Sequence, residues 1–111
     1  MPLEQWSDAI VLARLSDDPQ FSEDLFSLQK QLRDKPRGAV LDFSGVRFLN
    51  SSNLGSLLEL RKLAGENGAQ LVLCSVPTTV WGAFLVTGLD KIFRFADDMP
   101  TALASLQIQR V

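Results

Sequence analysis

Apolar positions along the chain alternate between short continuous runs, which suit strands, and spacings of three and four, which suit helices. Residues 3–6 make a short strand, Ser7 and Asp8 a turn, and residues 9–15 (AIVLARL) a more apolar partner, so a β-hairpin is expected at the N-terminus. Ser16, Asp17, Asp18 and Pro19 end that strand and open a helix, with Asp18 as its cap and Pro19 at the first helical position. Phe21, Leu25, Leu28 and Leu32 give this helix an apolar stripe down to Arg33, and Asp34, Lys35 and Pro36 stop it.

Residues 40–43 have the length and character of a buried strand, Ser44-Gly45 is a turn signal, and residues 46–49 bring the chain back under cover. Asn50, Ser51 and Ser52 stand where the second helix begins. From Leu54 onward, Leu57, Leu58, Leu60, Leu63 and Ala64 share one arc opposite Glu59, Lys62 and Glu66. Residues 65–68 end this helix, and residues 70–76 (QLVLCSV) read as another buried strand. Pro77 opens a third helix with Val80, Trp81, Phe84 and Leu85 on its apolar face, and Gly88 closes it. Residues 91–95 (KIFRF) are expected to form the last strand and residues 99–106 the last helix, with residues 107–111 fraying. The alternation predicts an α/β fold: a mixed, mostly parallel sheet of four to five strands flanked by about four helices.

Composition narrows the chemistry. A chain of 111 residues fits one domain, and a net charge of −2 without a basic stripe beside the aromatics argues against nucleic acid as a partner. Histidine is absent, which removes the usual general base and the commonest transition-metal ligand. Cys74 is the single cysteine, so the chain can hold no internal disulfide and no thiolate metal cluster, and Cys74 reads as a small core residue. Neither the P-loop nor the dinucleotide glycine pattern occurs, and no metal or cofactor is expected. The apolar runs are too short to span a bilayer and the N-terminus lacks a secretion signal, so a cytoplasmic setting without membrane insertion is the default. Trp6 has no basic or aromatic companion and reads as edge packing.

The start of the second helix has a chemical character of its own. The first amide N–H groups of a helix lack internal acceptors, and the macrodipole places partial positive charge there. A serine hydroxyl can cap such an end, and if phosphorylated it gains about 1.5 to 2 negative charges and three strong acceptors. Spacing alone leaves Ser51 either an ordinary cap or a switch. It has no histidine or lysine base beside it, so no catalytic residue is assigned and the chain is not read as an enzyme.

The stretch LDFSGVRFLNSSNLG resembles the signature of the STAS domain, which usually reads close to LDLSGVTFIDSSGLG and occurs in bacterial anti-sigma factor antagonists and in the cytoplasmic tails of sulfate transporters. Asp42, Ser44, Gly45, Val46, Phe48, Ser51, Ser52, Leu54 and Gly55 occupy the family's positions, whereas Asn50 replaces an aspartate and Asn53 a glycine. The resemblance implies one STAS-like domain over residues 1–111 with Ser51 as the phosphate acceptor, set among Asp18, Asp42, Asn50 and Ser52. Taken singly, Asp18 also reads as a helix cap and Asp42 as a loop hydrogen-bond acceptor. Asn53, Leu54 and Trp81 are the expected partner-binding positions, with a core role equally open to Trp81. The resemblance further implies a module in a partner-switching circuit that docks on an anti-sigma factor or serine kinase and is released by phosphorylation. The two asparagines favour the alternative of an unphosphorylated scaffold associating with other STAS or transporter subunits.

Overall fold

The computed structural model describes residues 3–35 and 38–108. Its centre is strand β3 (Gly38–Gly45), in which residues 39–43 are buried on both faces of the sheet. Such a strand requires cover on both sides, and helices supply it. Leu3–Ser7 (β1) and Ile10–Ser16 (β2) form the hairpin, followed by Gln20–Asp34 (α1), β3, Ser51–Glu66 (α2), Leu71–Cys74 (β4), Thr78–Thr87 (α3), Phe95–Ala96 (β5) and Met99–Ile108 (α4). The spatial order is β1-β2-β3-β4-β5, with β1 antiparallel to β2 and every other pairing parallel. The expected mixed, mostly parallel sheet with four flanking helices is what forms.

The period of two along the strands divides the core into two layers. Val11, Ala13, Leu15, Leu41, Phe43 and Leu73 face the buried stripes of α1, α2 and α3. Ile10, Leu12, Val40, Val72 and Cys74 instead meet Ala102, Leu103 and Leu106 of α4. In the first layer Phe43 stands edge-on between Phe21 of α1 and Phe84 of α3, with ring centroids 6.1 and 6.0 Å away. Edge-to-face contacts of this kind add to what area burial contributes. The α1 stripe holds one polar member, Asp24, which takes a hydrogen bond from Gln20 at 2.8 Å.

Several local expectations are corrected. Helix α1 starts at Gln20, one residue later than expected, with Pro19 as the residue before it, and Pro36 lies outside the described residues. The last strand is only Phe95–Ala96, because Gly88 turns left-handed (φ 76°) and a 3-10 turn over Leu89–Lys91 follows. The amide of Phe93 bonds the Leu89 carbonyl at 3.2 Å, so Phe93 enters the core from a helical turn although its spacing to Phe95 imitates a strand. Strand β4 is four residues long, shorter than residues 70–76, and ends at Cys74, just before Ser75, whose φ is 56°. Helix α4 continues through Ile108, while residues 109–111 lie outside the described residues. Among the expected core positions, Leu58, Leu85 and Phe48 are exposed, the last at 61%. Trp6 is 48% exposed on the edge strand.

Because Phe43 bridges two helices through the central strand, Phe43→Ala is expected to lower stability by about 3–5 kcal/mol, read from urea unfolding. Trp6→Ala on the open edge should cost under about 1 kcal/mol in the same measurement.

Candidate functional site

Parallel strands deliver their following loops to one edge of the sheet, so the loops after β2, β3 and β4 lie together. Two adjacent acids in the first loop hold the second. Asp17 accepts hydrogen bonds from the backbone N–H and the Nε of Arg47, both at 2.8 Å. Asp18 accepts from Asn53 Nδ2 at 2.8 Å with one oxygen, and from the N–H and Oγ of Ser22 at 2.9 and 2.7 Å with the other.

Asn50 is the cap of α2. Its backbone is extended (φ −100°, ψ 175°) and its Oδ1 accepts from the Asn53 N–H at 2.7 Å, while Asn53 Oδ1 accepts from the Asn50 N–H at 3.1 Å. This is a capping box, and asparagines make both halves of it. The usual glutamate at the fourth position of such a box has no donor left over; the Asn53 amide does, and that group reaches Asp18. Ser51 and Ser52 then occupy the first two helical positions, both exposed. The cap is therefore Asn50 and not a serine, and among the described residues the Ser51 hydroxyl has no hydrogen-bond partner.

An exposed, unengaged serine thus stands at the tip of α2. The family model for the STAS domain matches residues 16–102, most of the chain. The chain belongs to the STAS domain family. An anti-sigma F factor antagonist of Paenibacillus polymyxa is 32% identical over 69 residues, which is 62% of this chain and 59% of that protein. The match thus spans under two thirds of the relative's length. Among solved structures, a substituted form of RsbS from Moorella thermoacetica superposes with a TM-score of 0.84 at 20% identity, covering 99% of this chain and 97% of the other. A putative anti-sigma factor antagonist from Thermotoga maritima gives a TM-score of 0.74 at 20% identity over 96% and 93% of the two chains. SpoIIAA, in its unphosphorylated form, gives 0.77 at 18% identity over 98% and 96%. At these identities the solved structures establish the fold of this STAS domain.

Within it, the expected site residues do not all converge. Asp18, Asn50, Ser51 and Ser52 share one loop cluster, whereas Asp42 alternates with Leu41 and Phe43 and so faces the α4 side of the sheet, away from α2. Its carboxylate accepts from the Ser44 N–H at 2.9 Å, so the loop-acceptor reading applies and Asp42 does not stand with Asp18 around Ser51. Asn53 is 2% exposed, with its side chain given to the cap and to Asp18, so that side chain is withdrawn from the expected partner-binding set. Leu54 is half-buried against the core. Trp81 is half-buried too, standing edge-on to Phe95 at 4.8 Å and lining, with Val76 and Asp97, a notch of about 230 Å³.

Two features escaped the sequence reading. The Asp17–Arg47 clamp joins positions thirty residues apart, and nothing in local spacing marks it. Phe48, in a stretch expected to return under cover, is 61% exposed on the loop before α2, and Val86, outside the expected apolar face of α3, is 88% exposed, so both put apolar surface on the outside. Cys74 is buried, and burial pushes its thiol up to about 11, which keeps it protonated and unreactive near neutral pH.

The hydrogen bonds from Asn53 and then Ser22 hold the Asp18 carboxyl below its ordinary value of 3.8, and Arg47 does the same for Asp17. A carboxyl depressed in the folded state contributes stability at pH values above its unfolded pKa, and that contribution is lost as pH falls through the folded value. The fold should therefore lose stability below about pH 4, and Asp18→Asn should flatten that dependence in urea titrations run across pH. Asn50→Ala, which removes the cap, is expected to cost about 0.5–2 kcal/mol and to speed hydrogen exchange in the first turn of α2.

Proposed function

We propose that this STAS domain is a non-enzymatic regulatory module of the anti-sigma factor antagonist type, working in the cytoplasm and controlled by phosphorylation of Ser51. The observation that carries the reading is the exposed Ser51 hydroxyl at the first position of α2, free of internal hydrogen bonds among the described residues and at the positive end of the helix dipole. The curated relative's name, an anti-sigma F factor antagonist, supports the class of partner: an anti-sigma factor or serine kinase.

In this reading the partner covers the tip of α2 and the neighbouring start of α3, both at the carboxyl edge of the sheet. The exposed Phe48 side chain supplies apolar contact, and Leu54 and Trp81 lie beneath the rim. The kinase brings nucleotide, Mg²⁺ and catalytic base, and this chain presents the hydroxyl. A phosphate on Ser51 adds about 1.5 to 2 negative charges. The helix terminus tolerates that charge, but an apolar interface does not, and the Asp18 carboxylate one hydrogen bond from Asn53 repels it. Modification thus weakens the complex and spares the fold.

One observation favours a second reading. Asn53 already uses the amide of the cap and ties the helix tip to Asp18, while Asn50 is neutral where the family signature carries acid. A tip fixed in this way suits a scaffold that binds other STAS or transporter subunits regardless of phosphate.

The two separate in one experiment. A candidate anti-sigma factor kinase is mixed with the wild-type chain, Ser51→Ala and Ser51→Asp, with and without ATP, and binding is measured by calorimetry. The switch predicts one phosphate on the wild type and none on Ser51→Ala, with Ser51→Asp at least about tenfold weaker in binding. Equal affinity for all three chains and no phosphate would establish the scaffold. Asn50→Asp then tests whether restoring the acid restores modification.

A further inference from the structure

We infer that a cleft at the amino edge of the sheet, remote from Ser51, binds a small amphipathic anion: a carboxylate or phosphate on a short apolar body. The cleft measures about 700 Å³ and lies between the second half of α2, the turn into β4 and the stretch before β5. Helix α2 starts at the carboxyl edge of the sheet and runs to the opposite one, so this cleft and the Ser51 tip are at its two ends. The inference therefore stands apart from the partner-switching reading.

Three cations line the cleft, Arg61, Lys62 and Arg94, against the single carboxylate of Glu66. This clustering occurs in a chain whose net charge is −2. Two of the cations are held in place. Arg61 donates from Nε to the backbone carbonyl of Ile92 at 3.3 Å, which pins α2 to the end of the 3-10 turn. Arg94 donates from its two Nη groups to Gln70 Oε1 and Ser105 Oγ, both at 3.2 Å, which fixes its plane between β4 and α4. Among the described residues no carboxylate pairs with Arg61 or Lys62, and Glu66 does not close on Lys62 although it is four residues along the same helix. The Arg61 guanidinium, oriented by one neutral acceptor, keeps donors for a planar or tetrahedral oxyanion.

The floor of the cleft is apolar. Ala64, Leu71 and Phe93 form it, and Ile92 stands 42% exposed in its lining. A bare inorganic anion would leave that floor wet, and an uncharged apolar molecule would leave the cations without a counter-charge. A ligand with both parts satisfies the whole surface, and the volume falls in the range of small-molecule sites, about 300–1,000 Å³.

The test uses the full chain and ¹H–¹⁵N spectra titrated with octyl phosphate and octanoate, each below its micelle concentration, with octanol and inorganic phosphate as comparators. Saturable shifts are expected at the amides of Gly65, Leu71, Ile92 and Phe93. At least one of the two amphipathic anions should bind about tenfold or more tightly than either comparator, and binding should weaken as salt rises. Which of the two binds assigns the head group. The double variant Arg61→Gln with Lys62→Gln, both exposed side chains, should weaken binding about tenfold while costing the fold no more than the exposed Arg61–Ile92 hydrogen bond. Ser51→Asp should leave the affinity unchanged. Octanol binding as tightly as the anions, shifts scattered away from the cleft, no saturable shifts, or full affinity in the double variant would each overturn the inference.

Discussion

Everything in this molecule follows from a strand that water cannot reach from either side. Residues 39–43 of β3 are buried above and below, so helices must pack on both faces, and the three parallel crossovers α1, α2 and α3 fill one face while α4 closes the other. The same parallel arrangement decides where chemistry can happen. Each crossover carries its strand-to-helix loop to the carboxyl edge, so a loop that caps a helix there is automatically next to two others of the same kind.

At that edge the structure treats charge economically. The cap of α2 is neutral, built from two asparagines, and the acids that support it belong to the preceding loop, where Asp17 and Asp18 grip Arg47 and Asn53. The helix tip is thus held without any ionised group in its own first turn, which leaves the two leading serines in the open. Had a glutamate closed the box, its charge would already occupy the field that a phosphate would enter. At the other end of α2 the balance is reversed, with the Arg61 guanidinium held by a backbone carbonyl beside an apolar floor.

The elements could be read from the chain because period and length do most of the work for buried segments: the stripe of Phe21, Leu25, Leu28 and Leu32 is core in the fold as in the pattern. Misreadings arose where an apolar residue serves the surface, as with Phe48 and Leu85, since a hydrophobicity pattern cannot tell a core contact from an exposed one. The KIFRF segment misled for a different reason. Its two phenylalanines alternate, yet Gly88 redirects the backbone into a 3-10 turn that delivers Phe93 to the same core by another route. At the site, the placing of the serines at the tip of α2 and of Asp18 in the neighbouring loop was legible from spacing and resemblance. The inward turn of Asn53 was not, because it depends on a carboxylate 35 residues away, and neither was the side of the sheet that Asp42 takes, which rests on the register of β3.

The two acids that brace the helix tip are consecutive, yet they grasp separate points, a backbone amide with its guanidinium at Arg47 and a side-chain amide at Asn53. Their usefulness lies in phase as much as in identity. Inserting one residue between them would keep both carboxylates in the chain while swinging one of them out of reach, so this short bend tolerates changes of length far less readily than an exposed loop of similar size.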